Sequence, residues 1–292
     1  MTDIEDVGAT IDPLHEITES TREHMEHLLE ACRGYADFWC DNSTPAPGSE
    51  LADEEDSLTV RSTSVLAAEA AMVALDHLHL TASFVLAEKR LTAFATFTVV
   101  RSAITAAAVA AWLVAPEKAT RLERALNLNR QQARNEKVAA EEMIGPDRPK
   151  TPENEAYNTR TEGAKKAVQR MNETLQQIES DVARLKLEPT AITRQPRDNV
   201  LIEEAAELVS PTKPHYEDFG PVVEIRQKWR TLSAHAHGQA WAANLSARVE
   251  TNPITGVRTS WNPPAWLLDQ GILIAMDLLE AATQRYRELA HV

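Results

Sequence analysis

Glycine is scarce in this chain, nine in 292 residues, and runs of β-branched residues are few. Ala, Leu, Glu and Arg are abundant, and that balance predicts an all-α protein. There is no charge-free run of membrane-spanning length. The most apolar stretch, Leu91 to Ala115, carries Arg101 near its middle and reads as a buried helix, so no membrane partner is expected. The first residues, Met-Thr-Asp-Ile-Glu-Asp, lack the basic and apolar regions of a signal peptide, which makes the cytoplasm the expected location. Only two cysteines occur, Cys32 and Cys40. Eight residues apart on one helix they are too distant for a disulfide, and both are expected to be core thiols in a reducing compartment. No CxxC pair exists, so no zinc site is expected. Basic residues are also in deficit: the net charge is -14. That opposes a broad nucleic-acid coat and restricts any such contact to a small basic pocket.

What is present is helical patterning. Residues 1–12 read as a polar, disordered start, and Asp12-Pro13 as a cap with proline at the first helical position. Met25, Leu28, Leu29, Cys32, Tyr35 and Trp39 then mark one buried face, with His24 and His27 on the solvated side. Asn42 to Asp56 reads as a mobile acidic loop. A second helix is expected over about Ser57 to Glu88, with Asp76 among Met72, Val73 and Leu80. A third is expected from about Leu91 to Val114. Arg101 on its Phe97–Ile104 face needs a partner, for which Asp76 or Glu69 are candidates, because an unpaired buried charge costs several kcal/mol. The chain thus divides into a first half of a helical bundle (13–116), a charged segment (117–187) and a second half (188–292). In 117–187 a weak seam at Leu122, Leu126, Asn129, Ala133, Ala140 and Met143 precedes the break at Gly145-Pro146. A three-and-four seam follows at Val168, Met171, Leu175, Ile178, Val182 and Leu185. This segment is expected to protrude as an antiparallel coiled-coil hairpin used for packing or dimerisation. Residues 249–261 carry the only strand signal, a small β-hairpin, and a last helix is expected from Ala265 to about Leu289.

Polar chemistry concentrates in Trp229-Arg-Thr-Leu-Ser-Ala-His-Ala-His-Gly-Gln-Ala-Trp241. At about 100° per residue Arg230 and His237 fall within ~20° of one another, with Ser233 between them and Arg226 one turn before. His235 points away. Arg and His on one stripe suit metal-free phosphodiester chemistry: the imidazole as general acid or base, the guanidinium as phosphate clamp, the hydroxyl orienting either. One such helix supplies one imidazole, and a symmetric dimer would supply a second. The competing reading makes Arg230, Ser233 and His237 a buried structural network paired with a carboxylate such as Asp76, in a non-catalytic helical protein that binds a protein partner. Trp229 and Trp241 read as core anchors. Metal chemistry is disfavoured, because His77 and His79 diverge on a helix.

The Arg230…His237 spacing, in the setting Trp-Arg-Thr-Leu-Ser-x-x-x-His-Gly, resembles the HEPN superfamily, in particular its uncharacterised actinobacterial helical members. Asp76-His77-Leu78 and Val100-Arg101-Ser102-Ala103-Ile104, leading to Ala111-Trp112-Leu113 and Pro116, resemble the same subgroup. The resemblance implies a helical bundle, frequent dimerisation and, in many members, metal-independent RNA cleavage in toxin or defence systems without a cofactor. It also nominates Arg101, Asp76, His77 and Thr105 as supporting residues. Thr105 stands where the subgroup often has an acid.

Overall fold

The computed structural model describes residues 14–92, 95–194, 196–239, 241 and 265–291. It is all-α, as the composition predicts. The described helices are α1 (Glu19–Asp41), α2 (Glu50–Glu55), α3 (Thr63–Glu88), α4 (Ala95–Leu113), α5 (Lys118–Glu142), α6 (Glu155–Leu185), α7 (Pro189–Thr193), α8 (Asp198–Ala206), α9 (Gly220–Ala236) and α10 (Ala265–Ala290). Two three-residue strands, β1 (Leu14–Glu16) and β2 (Arg90–Thr92), pair antiparallel with His15 opposite Leu91. The β-hairpin expected at 249–261 lies outside the described residues. The chain forms two compact units, residues 1–41, 70–109 and 202–281 in one and residues 42–69, 110–201 and 282–292 in the other. These cut across the three segments read from the sequence.

The first unit is built from apolar helix faces. Met25, Leu28, Cys32 and Trp39 of α1 are buried, as the spacing predicts, while Cys40 is exposed and is not a core thiol. Burial pushes the Cys32 thiol up to about 11. α1 starts at Glu19 rather than at Pro13. Thr18 caps it, its hydroxyl accepting from the Thr21 amide at 3.2 Å, and residues 14–16 are drawn into the strand pair instead. α3 buries Ala71, Ala74, Leu75, Leu78, Ala82 and Val85. The opposite face, Met72, Val73, Asp76 and Leu80, is exposed, reversing the face expected to pack. The helix is apolar all round, so periodicity had little to choose between. α3 and α4 are both long and apolar enough to span a membrane by length and composition alone, contrary to the reading of the sequence. α4 buries Phe97, Val100, Ala103, Ile104 and Ala107 within this protein.

α4, α9 and α10 meet closely at Gly271. A Cβ there would stand 2.7 Å from Val100 Cγ1 and 3.0 Å from Leu232 Cδ1. Both neighbours are fully buried branched side chains with little room to retreat. Gly271→Ala is therefore expected to lower unfolding stability by about 1–3 kcal/mol, read from the shift of a urea midpoint. An unchanged midpoint would mean that the three helices have slack at this crossing.

In the second unit the stretch read as a mobile acidic loop contains α2. The Ser49 hydroxyl accepts from the Ala52 amide at 3.3 Å, and Leu51 and Glu54 are fully buried. Glu54 faces Arg121, the first-turn arginine of α5, which is itself 0 % exposed. Arg121 Nε donates to Glu54 at 2.8 Å, Nη2 donates to Glu50 at 2.6 Å, and Nη1 donates to the carbonyls of Ala115 and Pro116 at 2.9 and 2.6 Å. α5 and α6 pack lengthwise, and Leu126, Ile178, Val182 and Ile192 close one end of the pair over Leu58 and Val60. Residues 57–62 stay out of α3 because their backbone is held elsewhere. The Thr59 amide and hydroxyl both donate to buried Asp181, at 2.8 and 2.9 Å, and Asn129 holds the Arg61 carbonyl at 2.8 Å. Of the expected α5 seam, Met143 is exposed and the rest is buried.

Candidate functional site

α9 carries the Arg/His stretch, and its start is tethered. Lys213, His215 and Tyr216, in the segment before it, converge on Asp277 of α10. Lys213 Nζ donates to Oδ1 at 2.5 Å, His215 Nε2 lies 2.6 Å from Oδ2, and the Tyr216 hydroxyl donates to the same oxygen at 2.8 Å. Gly220, at φ +75°, turns the chain into the helix, and Pro221 follows where its missing amide hydrogen costs nothing.

The other end is a glycine-terminated cap. The helix stops at Ala236, and His237 is the C-cap residue rather than an interior position of a helix reaching Trp241. Gly238 takes φ +64°, its amide donates to the His235 carbonyl, and the Gln239 amide donates to the Ala234 carbonyl at 2.8 Å. These are the two reversed bonds of a Schellman ending, and they explain the glycine after His237. His237 still donates its own amide to the Ser233 carbonyl at 3.0 Å, so its Cα follows the helical path and the stripe with Arg230 survives in register.

Arg230 and His237 are both exposed, and Ser233 is half-buried. Arg230 and His237 therefore do not form the buried network of the competing reading. Ser233 faces inward to α4, where Arg101 Nε donates to its hydroxyl oxygen at 2.6 Å. The Arg101 guanidinium also stands 5.3 Å over the Trp229 ring. Trp229 is a core anchor, as expected, and its indole N–H donates to the Thr105 hydroxyl oxygen at 3.0 Å while Thr105 donates to the Arg101 carbonyl. Thr105 thus has a definite task in the position where an acid was expected: it satisfies a buried indole. Asp76 is exposed and makes no ion pair among the described residues, so it is not Arg101's partner. Glu69 pairs with Arg61 at 2.8 Å instead. Arg226 is drawn from the stripe to Glu203 of α8 at 3.0 Å. His77 is half-buried on α3, and its carbonyl accepts from the Thr81 hydroxyl at 2.8 Å. The structure brings together Arg101, Ser233 and Trp229, with Arg230 and His237 on the outer side of the same helix.

His235, set aside by helical geometry, is 4 % exposed and stacks on Phe97 with ring centroids 5.1 Å apart. Its burial holds its pKa below the ordinary histidine value. The unfolded chain then takes up a proton that the folded chain refuses. Stability is expected to be flat above the ordinary value of about 6.5 and to fall as pH drops below it. His235→Phe should flatten that acid limb in denaturation curves measured across pH 5–8. An identical limb in the variant would assign it to another group.

Among the described residues no group of three or more His, Cys, Asp or Glu side chains is placed to hold a metal. Comparison of the chain with protein-family models, curated proteins and solved structures finds no match.

Proposed function

We propose that this is a HEPN-like cytoplasmic protein that binds RNA in a local pocket and cleaves it without a metal ion. The observation that carries the reading is the exposure of Arg230 and His237 on one stripe of α9, with Ser233 between them anchored to Arg101. In this mechanism a neutral His237 imidazole takes the proton of a ribose 2′-hydroxyl. The 2′-oxygen attacks the adjacent phosphorus, the bond to the 5′-oxygen breaks, and that oxygen leaves with a proton. The products are a 2′,3′-cyclic phosphate and a 5′-hydroxyl. Arg230 holds the non-bridging oxygens and offsets the charge that builds on them in the transition state. Ser233 accepts from Arg101, which leaves its own hydroxyl hydrogen to orient the phosphate. A homodimer supplies the second imidazole, for the leaving group, from the copy of the chain related by a two-fold axis.

The test is incubation of the purified protein with single-stranded RNA in the presence of EDTA, with the product ends analysed. Cyclic phosphate ends formed by the wild type and lost in Arg230→Ala and His237→Ala support the reading. A wild type that neither cuts nor binds RNA overturns it.

A further inference from the structure

The tryptophans of this chain fall into contrasting settings. Trp39, Trp112 and Trp229 are buried. Trp266 is exposed, but the Lys228 ammonium stands 5.2 Å over its ring. Trp241 was expected in the core and is instead 46 % exposed, four residues beyond His237. Its indole N–H is not spent on solvent: it donates to the Gln239 side-chain oxygen at 2.7 Å. Gln239 is the residue whose amide closes the helix ending on the Ala234 carbonyl. A large flat ring is thus tied, through one hydrogen bond, to the turn that positions His237. Neither Gly238 nor Gln239, which lie between them, carries a charge that would repel a phosphate strand.

An exposed indole hydrogen-bonded at its edge keeps its faces for other contacts. Beside an imidazole and a guanidinium the chemistry that fits such a face is a nucleobase, because every base has a π-face that stacks on an aromatic ring without regard to sequence. Stacking of that kind needs a base already free of its neighbours, which single strands and loops supply and duplexes do not. Resting on the RNA reading above, we propose that Trp241 is the base-stacking residue of the Arg230–His237 site and that it restricts the substrate to unpaired RNA. The base beside the bound phosphate lies on the indole, Arg230 holds the phosphate, and the stacked base fixes the ribose whose 2′-hydroxyl meets His237.

The experiment uses the full chain and a fluorescein-labelled, single-stranded 2′-O-methyl hexanucleotide, which has no 2′-hydroxyl to be activated and so reports binding alone. Trp241→Ala is expected to weaken binding about tenfold and Trp241→Phe much less, since a smaller ring still stacks. A hexanucleotide series with one abasic residue at each position should contain one member that wild type and Trp241→Ala bind equally. A duplex of the same sequence should bind wild type no better than it binds Trp241→Ala. If Arg230→Ala weakens binding while Trp241→Ala does not, the stacking role is overturned and the RNA site stands. The stacking role is overturned equally if no abasic position removes the difference between wild type and Trp241→Ala. If wild type does not bind the hexanucleotide at all, the RNA reading itself falls and takes the inference with it.

Discussion

Arg121→Ala is expected to cost about 3–5 kcal/mol of unfolding stability, the range for removing one partner of a buried ion pair. The guanidinium is wholly buried and each of its nitrogens donates a bond. Its loss strands the fully buried Glu54 and releases the Ala115 and Pro116 carbonyls in one step. Glu54 already has its carboxyl raised by burial, with Arg121 acting against that shift. Without the arginine the carboxyl would take up a proton more readily, so the variant's deficit should shrink as pH falls toward the carboxylate range. Arg121→Lys should recover only part of the loss, because one ammonium cannot serve four acceptors in the fork geometry of a guanidinium. Urea denaturation of the three proteins at neutral and mildly acid pH measures all of this. A loss under about 1 kcal/mol would show that water replaces the guanidinium, and the network would then contribute specificity rather than stability.

The second large effect is chemical. On the proposed mechanism His237→Ala is expected to lower the cleavage rate by about 10²–10⁴-fold, the usual contribution of one positioned acid or base. Stability should barely change, because His237 is exposed and the bond its backbone makes to Ser233 remains available to alanine. The separation of the two readouts is the point of the measurement. A rate loss with an unchanged denaturation midpoint assigns the imidazole to the reaction. A folded variant that cleaves as fast as wild type removes His237 from the mechanism. His235→Ala should give the opposite pattern, a stability loss from the emptied Phe97 stack with chemistry affected only through the shape of the last helical turn.

The contrast between those two histidines shows what the sequence carried and what it did not. Helical geometry correctly separated His235 from the Arg230 stripe, because angular position depends only on the count of residues. It did not reveal that the helix ends at Ala236, although Gly238 followed by two polar-to-small residues was a terminator signal in view. The all-α class and the buried faces of α1 and α6 were legible because each alternates apolar and polar residues. The packed face of α3 was not, since a helix apolar on every side leaves the choice to its neighbours. Glu50 and Glu54 were hidden for a different reason. A cluster of acids beside Pro47 and Gly48 looks like a solvated loop unless the arginine that neutralises it, 67 residues beyond Glu54, is known to be buried. Partner choice across such separations, including Arg101 with Ser233 rather than Asp76, depends on tertiary packing that no local pattern encodes.

The tether at Asp277 has a consequence for motion. Three side chains from four successive residues hold the segment before α9 to α10, so the start of α9 cannot swing about its glycine and proline. Its freedom is left to the far end, where the closing bonds come from Gly238 and Gln239 to a single turn. Amide exchange along α9 should therefore be slowest near Ile225 and fastest at the last turn, so that the segment bearing His237 and Trp241 opens on its own while Arg230 stays in place.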